Sequence, residues 1–188
     1  MNMKPAFALW AGLLLALPAQ AVTYEDVEVP DSVTLAGQQV PLNGVGLREV
    51  AWVNVYVGAL YLPEKAATPE QALAQEGPQR IAMYFVHDAG AEDIVEAWVE
   101  GFGNNNSAEV MAAIGERMAT FNGFFGDIAE GDTVFMDYLP GQGTQVTING
   151  EVKGLIPGED FNNALLSIWL GRKPPGGNLK EGMLGDYN

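Results

Sequence analysis

The sequence predicts an α+β fold, an antiparallel sheet with helices packed on one face. Three observations lead there. Strand-like and helix-like segments come in separate runs rather than in βαβ alternation. Residues 50–62 are rich in β-branched and aromatic side chains and almost free of charge, as suits a strand covered on both faces. Asn149-Gly150 joins two short alternating segments and is a strong hairpin signal.

The chain begins with Lys4, an apolar run over residues 6–17 and then Pro18-Ala19-Gln20-Ala21. A basic start, an apolar middle and an Ala-x-Ala end predict a secretory leader over 1–21, cleaved after Ala21. The apolar run is short for a bilayer span, and no later segment could serve as one. The expected product is a single periplasmic or secreted domain over 22–188, a monomer with no transmembrane segment. There is no cysteine, so disulfides and thiolate metal sites are excluded and stability must come from packing. Net charge is −15, and losing a leader whose only charge is Lys4 makes the product more acidic still. Such a surface repels nucleic acid and anionic membranes.

Residues 22–42 read as two or three short strands, with a hairpin turn at Ala36-Gly37 and with Pro30 and Pro41 at edges or bulges. Residues 43–49 read as a glycine-punctuated turn before the long strand. Thr68-Pro69-Glu70-Gln71 starts a short helix, because threonine caps, proline suits the first turn and Gln71 can reach back. Gly77-Pro78 ends it. A strand follows over 80–87.

Over 88–101 Ile94, Val95, Trp98 and Phe102 recur at helical spacing, while Glu92, Asp93, Glu96 and Glu100 form a water-facing side. Asn104-Asn105-Asn106 breaks that helix. Ser107 caps another to about residue 122, with Val110, Met111, Ile114, Met118 and Phe121 inward. Strands over 132–139, 144–148 and 151–156 form a meander. A helix over 158–170 presents Phe161, Leu165, Ile168 and Trp169, and Pro174 stops it. A short helix is expected around 179–184.

Few residue patterns carry chemistry. His87 is the single histidine, followed by Asp88, with no nucleophile marked beside it. No nucleophile elbow, phosphate loop or calcium loop occurs, and no metal or cofactor is predicted. The informative set lies around the long strand, where Arg48, Trp52, Asn54 and Tyr56 share one face with apolar residues. Polar groups converging among apolar ones suit a small-ligand pocket, although such groups also often just satisfy the backbone. Tyr84 and Trp98 are further candidate walls.

The run Gly44-Val45-Gly46-Leu47-Arg48-Glu49, then Val55-Tyr56-Val57-Gly58-Ala59-Leu60-Tyr61-Leu62, resembles the chalcone isomerase-like superfamily, in particular its bacterial secreted members. The likeness continues through Phe121-Asn122-Gly123-Phe124-Phe125, Asp137-Tyr138-Leu139-Pro140-Gly141-Gln142-Gly143-Thr144 and Ile156-Pro157-Gly158-Glu159-Asp160-Phe161 to Ile168-Trp169-Leu170-Gly171. It implies the open-faced β-sandwich of that fold.

In the superfamily's enzymes an arginine matching Arg48 stabilises the phenolate and enolate formed during ring closure. In its fatty-acid-binding branch an arginine and a tyrosine matching Arg48 and Tyr56 hold the ligand carboxylate. The enzymes favour threonine where Tyr56 stands. They also carry a tyrosine and an asparagine on the helix matching 88–101, which has neither, and a small hydroxyl residue near Ser167. The resemblance therefore implies, first, a binding protein for a small hydrophobic carboxylate. The alternatives are an intramolecular lyase acting on chalcone-like enones, with Arg48 as its catalytic group, and a non-catalytic structural protein of the periplasm.

Overall fold

The computed structural model describes residues 20–187, so residues 1–19 of the expected leader lie outside the described residues. A two-stranded ribbon comes first, β1 (Ala21–Tyr24) and β2 (Val27–Pro30). Seven strands then form one antiparallel sheet in sequential order. They are β3 (Ser32–Leu35), β4 (Gln38–Val50), β5 (Val53–Tyr61), β6 (Gln79–Phe85), β7 (Thr133–Leu139), β8 (Gly143–Ile148) and β9 (Glu151–Ile156). Helix α1 (Pro69–Leu73) lies between β5 and β6, and α2 (Ala91–Asn105) and α3 (Ala108–Asn122) between β6 and β7. Helices α4 (Glu159–Leu170) and α5 (Gly177–Met183) follow β9. The predicted α+β architecture is the observed one.

Local chemistry explains most boundaries. Thr68 caps α1 by accepting from the Gln71 N–H, and Gln71 accepts from the Ala67 N–H. Ser107 caps α3 through the Val110 N–H. Asn149 and Gly150 take the positive φ angles of a tight hairpin turn.

The sheet separates two apolar layers. On one side Leu60, Ile81, Met83 and Val134 meet the helices, including Phe102, Phe121, Phe161 and Trp169. Helix α4 is buried on nearly every side, between the sheet and α2. On the other side Val45, Val57, Ala59, Tyr61 and Ala82 pack with Val29 and with Val22, Tyr24 and Val27 of the ribbon. The Tyr61 hydroxyl donates to the Pro30 carbonyl over 2.9 Å. Residues 56–61 are therefore strand covered on both faces, as their composition predicts, whereas Val53 and Asn54, expected to be covered with them, are exposed next to the hairpin tip. Val110, expected inward on α3, is exposed.

One expectation needs correction. Residues 43–50 are strand rather than turn, and the chain reverses later, at Ala51-Trp52, where φ is 45° and 74°. Neither residue type advertises positive φ, so composition hides this turn. The glycines at 44 and 46 answer to packing instead. A Cβ on Gly46 would lie 2.7 Å from the Leu179 carbonyl oxygen, and one on Gly44 would collide with the Gly182 carbonyl. The backbone of α5 rests directly on β4. Asn43 ties the same junction together, donating to the Ala66 and Met183 carbonyls and accepting from the Ala66 N–H.

Candidate functional site

A cavity of about 750 Å³ opens between the sheet and its helical cover. Its floor comes from β4, β5 and β6 through Arg48, Tyr56, Met83 and Phe85. Its cover comes from α2 through Ile94, Trp98 and Gly101, from α4 through Ile168, and from the segment 173–176 after α4. The volume falls in the range of small-molecule sites.

Arg48 and Tyr56 face this cavity as direct cross-strand partners. Eight residues apart along one continuous strand, they would be separated by roughly 26 Å. The reversal at Ala51-Trp52 brings their Cα atoms to a spacing of about 5 Å instead. The Arg48 guanidinium carbon sits 5.9 Å from the Tyr56 ring centroid. Arg48 makes no salt bridge among the described residues, and its polar neighbour is the Tyr56 hydroxyl. Tyr56 is buried, and its hydroxyl accepts from the Trp169 indole N–H over 3.0 Å. Burial pushes the phenol above its usual pKa, against the opposing pull of the Arg48 charge and of hydrogen bonding from Trp169 and Arg48. The group therefore stays neutral and protonated at physiological pH.

The other expected site residues divide. Trp98 lines the cavity, stacked edge-on against Trp169 and Phe121. Trp52 and Asn54 do not line it. Trp52 is 92% exposed at the tip of the β4–β5 hairpin, and Asn54 is exposed beside it. The turn carries both past the end of the sheet, where shared parity with Tyr56 no longer means a shared face. Tyr84 also stands apart. It packs edge-on to Phe135 in the layer opposite the helices, because Met83 and Phe85 take the cavity side of β6. Ser167 is turned away too, donating to the Ala164 carbonyl and accepting from Asn106.

Several residues of the site were not singled out from the sequence. Met83, Phe85, Ile94 and Ile168 form apolar wall. Strand parity on β6 and helical spacing on α2 mark three of them as core, but nothing local separates core wall from cavity wall. Charged side chains also line the cavity, Glu49, Asp88, Asp93 and Glu100 against Lys173, with His87 beside them. Asp93 and Glu100 belong to the exposed side of α2, where water-facing acids were expected. Asp88 is engaged, accepting from the Glu130 N–H. Among the described residues no group of three or more acidic or imidazole side chains could hold a metal ion, and no helix is long and apolar enough to cross a membrane.

A fold with this sheet and this helical cover belongs to a recognisable class. The chain is a member of the chalcone isomerase-like family, whose model matches residues 21–185. No curated protein sequence matches it significantly. Among solved structures it is similar to a fatty-acid binding protein of Arabidopsis thaliana. That likeness has a TM-score of 0.67 and covers 88% of this chain and 96% of that one, at 17% identity. Identity so low shows the fold, and the fold is the expected one.

Proposed function

We propose that this protein binds a small hydrophobic carboxylate of the fatty-acid class. Arg48 and Tyr56 hold the head group, and Met83, Phe85, Ile94, Trp98 and Ile168 enclose the chain. One observation carries the reading: a guanidinium with no protein counter-ion and a buried phenol stand side by side on the wall of an apolar cavity. A guanidinium fork and a hydroxyl together give charge-assisted, directional hydrogen bonds to a carboxylate. The structural likeness to a protein named for fatty-acid binding supports the same choice.

Calorimetric titration with dodecanoate tests it. Hydrogen bonds to charged groups contribute about 1.5–3 kcal/mol, so Arg48→Ala should weaken binding roughly 10- to 100-fold. Tyr56→Phe, which removes one hydroxyl and keeps the ring, should weaken it less. Equal affinities for the wild type and Arg48→Ala would overturn the reading.

The protein acts after export, in the periplasm or beyond, which the leader-like residues 1–21 support. Expressed with its native start in a Gram-negative host, it should be recovered from the periplasm with Val22 as its first residue. An intact N-terminus in the cytoplasmic fraction would remove that part.

A further inference from the structure

We propose that Trp169 is a positioning residue that holds the Tyr56 hydroxyl as a donor toward the ligand, so that this corner selects a head group that only accepts, a carboxylate over an alcohol of equal chain length. The proposal rests on the carboxylate reading above and adds what sets the polarity of the site.

An indole N–H can donate and cannot accept. The 3.0 Å contact between Trp169 Nε1 and the Tyr56 hydroxyl oxygen therefore has one sense, with the phenol as acceptor. That occupies one side of the oxygen and leaves its own proton unused. No described residue takes that proton. Burial keeps the phenol protonated, so the donor persists at neutral pH. Arg48, on the facing strand, likewise can only donate. The corner thus presents donors from two strands, and its one acceptor, the phenol oxygen, is already engaged by the indole. A carboxylate satisfies both with its two oxygens. An alcohol brings a further O–H proton, which meets only an oxygen that already accepts from the indole.

The indole is well placed to impose this sense. Trp169 is fully buried on α4, the helix enclosed between sheet and α2, and it is braced edge-on by Trp98 with ring centroids 5.8 Å apart. Its N–H cannot turn away without repacking that layer. Without it the phenol could rotate and accept from an incoming hydroxyl.

A double-mutant cycle read with two ligands tests the proposal. Dodecanoate and dodecanol are titrated into the wild-type protein, Trp169→Phe, Tyr56→Phe and the double variant. Trp169→Phe should weaken dodecanoate about tenfold when Tyr56 is present and less than twofold when it is already phenylalanine. Dodecanol affinity should hold or rise. Equal losses in both backgrounds, or parallel losses for both ligands, would mean the indole only fills space and would overturn the proposal.

If Trp169→Phe fails to fold, the indole N–H resonance of Trp169 is followed in the wild type and in Tyr56→Phe. It should move on adding dodecanoate to the wild type and stay fixed in Tyr56→Phe or with dodecanol. An unmoved signal in the wild type would be decisive against the idea. Should Arg48→Ala bind dodecanoate normally, the underlying carboxylate reading falls. Should Arg48→Ala fail to bind while the cycle is additive, only the role of Trp169 falls.

Discussion

Arg80 shows how costly one misplaced charge would be. It donates twice to Asp137, over 2.5 and 2.6 Å, as its cross-strand partner, and its guanidinium lies 4.5 Å from the Phe135 ring centroid. Asp137 is buried. Removing the cation alone strands a carboxylate in the apolar layer, so Arg80→Met should cost about 3–5 kcal/mol in urea unfolding. Converting the pair together, with Asp137→Leu added, should recover much of that loss. Arg48 is the contrasting case, a cation left without such a partner on the opposite side of the sheet. Its residue type, with Tyr56, was legible in the sequence, because charge is rare among so many apolar neighbours. The indole that completes the corner was not, since Trp169 lies 113 positions from Tyr56 and its hydrogen bond has no local signature. Trp52 and Asn54 were misplaced for a related reason: parity along a strand holds only until the strand turns.

At the level of elements, the seam between β4 and α5 is built from missing side chains. Gly44 and Gly46 on the strand face Gly182 on the helix, and a Cβ on Gly182 would in turn strike the Val45 carbonyl. Backbone cannot yield as a flexible side chain can. Gly46→Ala should therefore lower stability by roughly 2–3 kcal/mol, seen as a reduced urea midpoint. A value within error of the wild type would show that α5 can lift without penalty. The strands and helices themselves were largely readable, because Thr68, Ser107 and Asn149-Gly150 declare their positions chemically. Gly44-Val45-Gly46 was read as a turn because glycine for close approach and glycine for bending look alike in one dimension. The real turn at Ala51-Trp52 carries no residue that favours positive φ.

For the whole molecule, the acidic, cysteine-free chain relies on a large aromatic core, and its buried phenols set an alkaline limit. Burial is the main cause that raises Tyr56, Tyr61 and Tyr84 above their ordinary value near 10. Below pH 10 both folded and unfolded chains keep these protons, and the stability they represent is intact. As pH climbs beyond 10 the unfolded chain releases them first, so each such phenol costs about 1.4 kcal/mol per pH unit until its folded form also ionises. Thermal scans should show a melting temperature roughly 5–10 °C lower at pH 11 than at pH 9. A flat profile would mean that these hydroxyls reach water. The overall architecture, helices on one side of a meandering sheet, was predictable from the order of segments alone. The ribbon of β1 and β2 that closes the opposite side was not, because short strands do not reveal which sheet they join. The three tryptophans of the described chain divide in a useful way, with Trp98 on the cavity wall, Trp169 buried against it and Trp52 92% exposed at a hairpin tip. Light emitted by the first two should be blue and sheltered from iodide, that from the third red and readily quenched. Replacing Trp52 by phenylalanine in a chain spanning residues 22–188 would leave a protein whose indole glow comes from the chamber wall and the ring packed behind it, a native optical gauge of whether anything is inside.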